Sequence, residues 1–321
     1  MKIGFYIQWP KNSMNSKGNV LGDELIGESL VRAFRRLPEI DWCELYAPNH
    51  LPDRALDIMI YMNENEPVKE WARRHVLYMQ NAYGDGSDAV LRKFQSRKYD
   101  GYAFISKRLL QLHLAEGYGG IFLPFGVDVE TFRPVPKEAC YAFDVAYVGS
   151  DIKGEERTVR YLVPATGYNF GLFGNWVIPR SRFRIWKNWG KRPNYQKTFE
   201  KLSRGKIPQA DVPILYSSTQ INLNCTAQDC VDWDVITLRT LEVLACKGFL
   251  ITDRVSAAER ELDGCVVFTD GDDDLVKKIR YYLDHPQERD AIALKGYQYV
   301  IQHATIERRA EKFLAYLKGI A

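Results

Sequence analysis

Short apolar runs alternate with helix-patterned segments along the whole chain, and this alternation constrains the fold more tightly than any other feature. KIGFYI (2–7) is β-branched and aromatic, and GDELIGESLVRAFRR follows it with Leu25, Ile26, Leu30, Val31 and Phe34 at helical spacing. WCELYA, LDIMIYM, HVLYMQ, GYAFIS and IFLPFG continue the series, with DAVLRKF and KRLLQLHLAEG as helices in its later gaps. Parallel neighbours need a long crossover, usually a helix, so the alternation predicts parallel sheets covered on both faces.

A second series begins after the Pro-bearing stretch FRPVPKEAC (132–140). FDVAYVG, YNFGLFG, QINLNC, GFLITD and CVVFTD read as its strands, and ITLRTLEVLAC, DDLVKKIRYYLD and a broken run from about Pro286 as its later helices. A chain of 321 residues suits two domains that each bury a core. The expected architecture is α/β, with two Rossmann-like domains facing a cleft. Residues 1–135 form the first, acceptor-side domain, 136–303 the second, and 304–321 a C-terminal helix returning to the first.

Composition removes other classes. Hydrophobic residues make up 46% and charged residues 26%, which excludes disorder, and no run reaches the roughly 18–20 apolar residues of a membrane span. The N-terminus reads as a strand rather than a signal peptide, so the expected location is cytoplasmic, compatible with peripheral contact at the inner membrane face. Six cysteines without a C-x-x-C pair and five scattered histidines argue against zinc and disulfides. No cofactor is expected.

Doubly wound sheets bind ligands at the carboxyl ends of their strands, where helix N-termini offer N–H groups to phosphate. Three segments fit. In YVGSDIKGEER (147–157), Gly149 and Ser150 form a turn and Lys153 and Arg157 stand near a helix start. The glycine permits close backbone approach and the cations match a diphosphate; the plainer reading is a solvated surface. In QINLNCTAQDCVDWDVITLRTLEVLACKGFLITD (220–253), a buried strand ends at Asn224 and a helix is expected from about Val235. Arg239 and Glu242 share a face near its positive end, where a carboxylate suits a ribose diol; a surface ion pair is the alternative.

The third segment, 176–206, sets ten cations against the single acid Glu200 and interleaves them with Trp176, Phe183, Trp186, Trp189, Tyr195 and Phe199. Arg182, Arg184 and Lys187 form the expected acceptor or phosphate patch, with amphipathic packing as the alternative. An anionic surface is a compatible partner. Dedicated nucleic-acid binding is not expected, because no reader motif accompanies the patch.

LEVLACKGFLITD resembles the helix–strand signature of GT-B glycosyltransferases, in which Glu-x7-Glu precedes an Ala/Cys-Gly turn. Its second acid matches Glu242, and Asp234, one methylene shorter than Glu, stands eight residues earlier. LPFGVDVETFRP (123–134) resembles the segment by which these enzymes leave their first domain. FDVAYVGSDIKGEER, FGLFGNW, YSSTQINLN and the Arg239–Glu242 spacing are most similar to the CgeB-type branch. The resemblance spans roughly residues 100–315.

It implies a nucleotide-sugar donor on the second domain and a glycan or glycoconjugate acceptor on the first. Carried over by position, Glu242 would bind the ribose, and Arg239 with the backbone near Thr237 and Leu238 the diphosphate. Gly149, Ser150, Lys153, Arg157 and Asn224 would complete the donor site, and Asp234 would face the donor sugar as a catalytic residue. Asp23, at the end of the Gly-rich loop NSMNSKGNVLGDE, reads as a helix N-cap, with a catalytic base as the alternative.

Two D-x-D strings, Asp232–Asp234 and Asp272–Asp274, have the form that GT-A transferases use to hold a metal. The second opens a helix, where capping and dipole explain its acids, and GT-A does not account for two domains; no metal is expected. The expected activity is metal-independent transfer of a sugar from a nucleoside-diphosphate donor, UDP by frequency, to a hydroxyl acceptor. The acid–arginine relation leans toward a retaining outcome. A sugar-nucleotide epimerase of the same fold and a non-catalytic nucleotide-sugar or polyanion binder are the alternatives.

Overall fold

The computed structural model describes residues 1–12, 22–62, 64–80, 89–176 and 194–320. The chain forms two compact units. One comprises Met1–Asp128, Asp229–Ile236 and His303–Ala321; the other comprises Val129–Gln228 and Thr237–Gln302. The sequence reading kept 229–236 in the second domain. These residues group with the first unit because Trp233 and Val235 bury their side chains in its apolar core.

The first unit is built on β1 (Lys2–Tyr6), β2 (Trp42–Tyr46), β3 (Leu56–Tyr61), β4 (Ala72–Met79), β5 (Gly101–Phe104) and β6 (Ile121–Phe122), with helices α1 (Gly22–Arg35), α2 (Ala89–Gln95) and α3 (Lys107–Ala115). All strands are parallel, in the order β2-β1-β3-β4-β5-β6. Its central strands are buried on both faces, which is why they read as continuous apolar runs. Along α1, Gly27, Leu30, Val31 and Phe34 recur at helical spacing and face inward, setting Phe34 edge-on against Phe5 at 5.3 Å. Asp23 lies inside the first turn of α1, not at its cap; as an acid there it is favoured by the helix dipole.

The second unit contains β7 (Val145–Val148), α4 (Glu155–Leu162), β8 (Phe170–Phe173), α5 (Asn194–Leu202), α6 (Val212–Ser218) and β9 (Ile221–Asn224). After α7 (Gln228–Asp232), whose last residues belong to the first unit, it continues with α8 (Leu238–Ala245), β10 (Leu250–Asp253), α9 (Ser256–Glu261), β11 (Val267–Thr269), α10 (Asp272–Asp284) and α11 (Pro286–His303). This sheet is also parallel, in the order β11-β10-β9-β7-β8. Because β8 and β9 lie on opposite sides of β7, the topological switch falls between β7 and β9. Helix α8 starts at Leu238, three residues later than expected, because the chain before it is occupied in the first core.

The last helix, α12 (Ile306–Lys318), belongs to the first unit. Phe313 packs against Phe34 and Tyr78 at 6.2 and 5.6 Å, and the Tyr316 hydroxyl accepts the Tyr102 N–H at 3.0 Å. The C-terminal helix therefore packs back on the first domain.

Candidate functional site

The switch point of the second sheet gathers polar side chains at the carboxyl ends of β7, β9 and β10. At the end of β7 the Gly149 N–H donates to the Phe173 carbonyl at 2.9 Å. A Cβ at Gly174, whose φ is +129°, would collide with the Gly149 carbonyl, so the turns after β7 and β8 touch backbone to backbone. The next residues are tied down from the same side. Ser150 Oγ accepts the Asn175 N–H at 3.2 Å, and Asp151 accepts from the Tyr195 hydroxyl at 3.0 Å and the Gln196 amide at 3.2 Å.

Helix α4 follows with Glu155 and Glu156 in its first turn, and these acids oppose an anion at that helix end. Arg157 is bonded within the fold through all three guanidinium nitrogens. It donates to the Thr226 carbonyl at 2.7 Å and Gln228 Oε1 at 3.0 Å, and pairs with the completely buried Asp253. Asp253 also accepts from the Thr226 N–H and hydroxyl at 3.0 and 2.9 Å. Arg157 thus braces α4 to the ends of β9 and β10.

Asn224 connects this network to α8. Its amide donates to Thr226 Oγ1 at 3.2 Å and Thr252 Oγ1 at 3.1 Å, while its carbonyl faces Arg239 Nη1 at 3.5 Å. Thr237 caps α8 with its carbonyl, which accepts the Thr240 N–H at 3.1 Å. Its hydroxyl meets Thr240 Oγ1 at 3.2 Å and takes no helix N–H, so the N–H groups of Leu238 and Arg239 have no partner within the helix. Arg239 lies in that turn, 5.4 Å over the Tyr147 ring and against the Tyr216 hydroxyl. One turn on, burial pushes the Glu242 carboxyl up to about 7, against the opposing pull of Arg239. The Tyr147 hydroxyl is buried without a hydrogen-bond partner among the described residues, directly beneath the Gly149 turn.

The second unit therefore brings together Gly149, Ser150, Arg157, Asn224, Thr237, Leu238, Arg239 and Glu242 around one sheet edge, with Lys153 in the turn before α4. A guanidinium, an open helix start and a carboxyl poised near neutrality are the chemistry that a diphosphate and a diol require. Asp234 is not among them: it sits in the first unit at φ +58°, between Trp233 and Val235. Arg182, Arg184 and Lys187 lie outside the described residues.

In the second D-x-D string, Asp274 is engaged by Thr269 Oγ1 at 2.7 Å and Lys278 at 2.6 Å. Against the effect of burial, those hydrogen bonds hold its carboxyl down to about 2. Among the described residues, no three of His, Cys, Asp and Glu gather into a metal-binding group, and no helix is long and apolar enough to cross a membrane.

Sequence reasoning passed over Tyr147, Tyr216 and Asp253. Asp253 was detectable as an acid closing an apolar strand at the ligand-bearing edge. The two tyrosines read as ordinary core.

Residues 157–315 match the family described as glycosyl transferase-like. Sucrose-phosphate synthase from Thermosynechococcus elongatus is similar over 100% of this chain and 99% of its own, at 12% identity and a TM-score of 0.66. Anabaena HepE in complex with UDP-glucose is similar over 99% and 100%, at 12% identity and 0.67. T4 phage BGT, in complex with its UDP-glucose substrate, is similar over 100% and 99%, at 16% identity and 0.60. No curated protein matches the chain. These likenesses give the chain the GT-B fold and liken residues 157–315 to glycosyl transferase-like proteins. They reach no further, and not to the CgeB-type branch.

Proposed function

We propose that this protein transfers a sugar from a UDP-sugar to a hydroxyl acceptor such as a glycan or glycoconjugate, without a metal. The observation that carries the reading is the arrangement at the start of α8, where Arg239 stands over Tyr147 and Glu242 follows one turn later beside the switch point. Arg239, Lys153 and the open helix end would receive the diphosphate, and Glu242 the ribose hydroxyls. Stabilising the departing diphosphate while an acceptor hydroxyl attacks the anomeric carbon is the task such cations perform.

The choice of UDP is supported by two similar structures, Anabaena HepE and T4 phage BGT, both described with UDP-glucose. The narrower likeness to the CgeB-type branch rests on the sequence strings alone. Calorimetry with UDP on the whole chain and on Glu242→Ala tests the donor site. The expected result is binding by the wild type and a loss of about tenfold or more in the variant, on the scale of a charge-assisted hydrogen bond to ligand. Equal affinity would remove Glu242 from the site. Release of UDP from UDP-sugars that depends on an acceptor separates a transferase from an epimerase and from a binder.

A further inference from the structure

The edge strand β6 of the first sheet ends at Phe122, and cations from two helices converge on its ring. Lys107 Nζ lies 5.1 Å from the ring centroid and Lys312 Nζ 5.7 Å from it. An aromatic face attracts an ammonium group, so one ring holds both lysines in place. Arg309, on α12 with Lys312, donates from Nε to the Phe125 carbonyl at 3.0 Å, which fixes its guanidinium beside the same stretch of chain. All these residues belong to the first unit, and both lysines are exposed to solvent.

The cluster gathers positive charge where the fold alone would favour an acid. Lys107 and Arg108 open α3, whose first turn carries no acid, although a helix start is itself positive. That start is held firmly. Ser106 caps it, accepting the Leu109 N–H at 3.0 Å and donating to the Trp233 carbonyl at 2.6 Å, and Arg108 donates to the Asp232 carbonyl at 2.7 Å. Lys107 is left as the side chain that α3 sends to Phe122. Partial burial of the Lys312 ammonium, then Arg309 and Lys107, pull it below the usual lysine range, so both charges acting on it are positive. Self-repulsion of this kind costs stability that a bound anion would return. The place also suits a ligand: α3 follows β5 and the ring closes β6, so the cluster stands at the carboxyl ends of two parallel strands.

We propose that Lys107, Arg309 and Lys312 form a phosphate-binding site of the first unit, which takes a phosphomonoester carried by a small molecule or by a lipid. Such a group brings a charge of roughly −1.5 to −2 and three acceptor oxygens, which match three cations better than a single carboxylate does. The start of α3 adds its dipole to theirs. The site uses no residue assigned to the donor, so it stands apart from the function proposed above.

Calorimetry on the whole chain with inorganic phosphate and glucose 6-phosphate, and co-sedimentation with phosphatidylcholine vesicles with and without phosphatidic acid, test it. The double variant Lys107→Gln, Lys312→Gln is expected to weaken binding by about tenfold or more, and Arg239→Ala to leave it unchanged. In phosphate-free buffer the double variant should match or exceed the wild type in Tm, because a repulsion is removed. Without any variant, glucose 6-phosphate or the phosphatidic acid vesicles should slow modification of Lys312 by an amine-reactive ester, read by mass spectrometry. This measurement decides the matter if the double variant does not fold.

Binding of the soluble esters assigns the phosphate to a small molecule, and binding of phosphatidic acid vesicles alone assigns it to a lipid; either supports the site. Absence of binding to every probe overturns it, as does unprotected Lys312. Affinity that survives in the double variant, or is lost in Arg239→Ala instead, overturns it too, since the anion then lies elsewhere. Equal binding to vesicles of phosphatidylglycerol, a phosphodiester, would reduce the cluster to an unselective basic face.

Discussion

Arg239 stands one helical turn before Glu242 on α8, and its positive charge opposes the burial that raises the Glu242 carboxyl to about 7. Neither residue is conspicuous in a chain with 44 basic and 41 acidic side chains. What sets them apart is their place. They lie where α8 opens beside the switch point of a parallel sheet, with Tyr147, Tyr216 and Asn224 closing the space around the guanidinium.

Titration of Glu242 should appear in both stability and binding. Burial favours the neutral form, so the folded protein holds this proton up to about pH 7, whereas an ordinary glutamate gives it up near 4.5. The associated stability is complete below pH 4.5 and is lost as the pH rises through 7. Glu242→Gln should remove this dependence, so its Tm relative to wild type should climb between pH 5 and pH 8. If the anion receives the ribose, UDP affinity should rise roughly tenfold more in wild type than in Glu242→Gln from pH 6 to pH 8. Parallel pH profiles for the two proteins would leave the carboxyl without that role.

The Arg157–Asp253 pair should behave as a brace. Asp253 is fully buried and the Arg157 side chain is 15% exposed, so removing one partner strands a charge. Asp253→Ala is expected to cost about 3–5 kcal/mol in urea denaturation, and the double variant with Arg157→Ala less than the sum of the singles. Additive losses would mean that the two residues act separately.

The order of strands and helices was legible because each period records burial directly: helix α1 buries one stripe and β3 buries both faces. Arg239 and Glu242 were legible as well, since three-residue spacing on a helix needs no tertiary information. The allegiance of Asp234 was not. Local patterning shows that Trp233 is apolar, but only the fold shows which core receives it, and the Ser106 bond joins residues 127 positions apart. The engagement of Arg157 was hidden for the same reason: Asp253 lies 96 positions away.

Metal independence and the basic segment can be tested together. Turnover is expected to survive excess EDTA, because Arg239 and Lys153 supply positive charge to the proposed diphosphate site. The charge reversals Arg182→Glu, Arg184→Glu and Lys187→Glu, made together, are expected to raise KM for donor or acceptor with little change in Tm. They should also make the remaining activity less sensitive to salt, since screening acts on exposed charges. Loss of turnover on chelation, restored by manganese, would count against the first expectation; kinetics unchanged at low and high salt would count against the second.

Tyr147 offers the cleanest separation of fold from ligand. Its ring is almost completely buried, sits edge-on to Trp176 at 6.1 Å, and receives Arg239 at 5.4 Å. Burial pushes its phenol up to about 12, and the hydroxyl has no hydrogen-bond partner among the described residues. A buried donor left unpaired costs about 1–3 kcal/mol, and a phenylalanine would keep both the ring packing and the contact with the cation. Tyr147→Phe is therefore expected to match or exceed the wild type in Tm, with UDP affinity within about twofold. A stability loss above about 1 kcal/mol would show that the hydroxyl is bonded in the free protein. An unchanged Tm with a tenfold weaker UDP complex would show instead that the ligand reaches the hydroxyl, placing Tyr147 in the donor site beside Arg239.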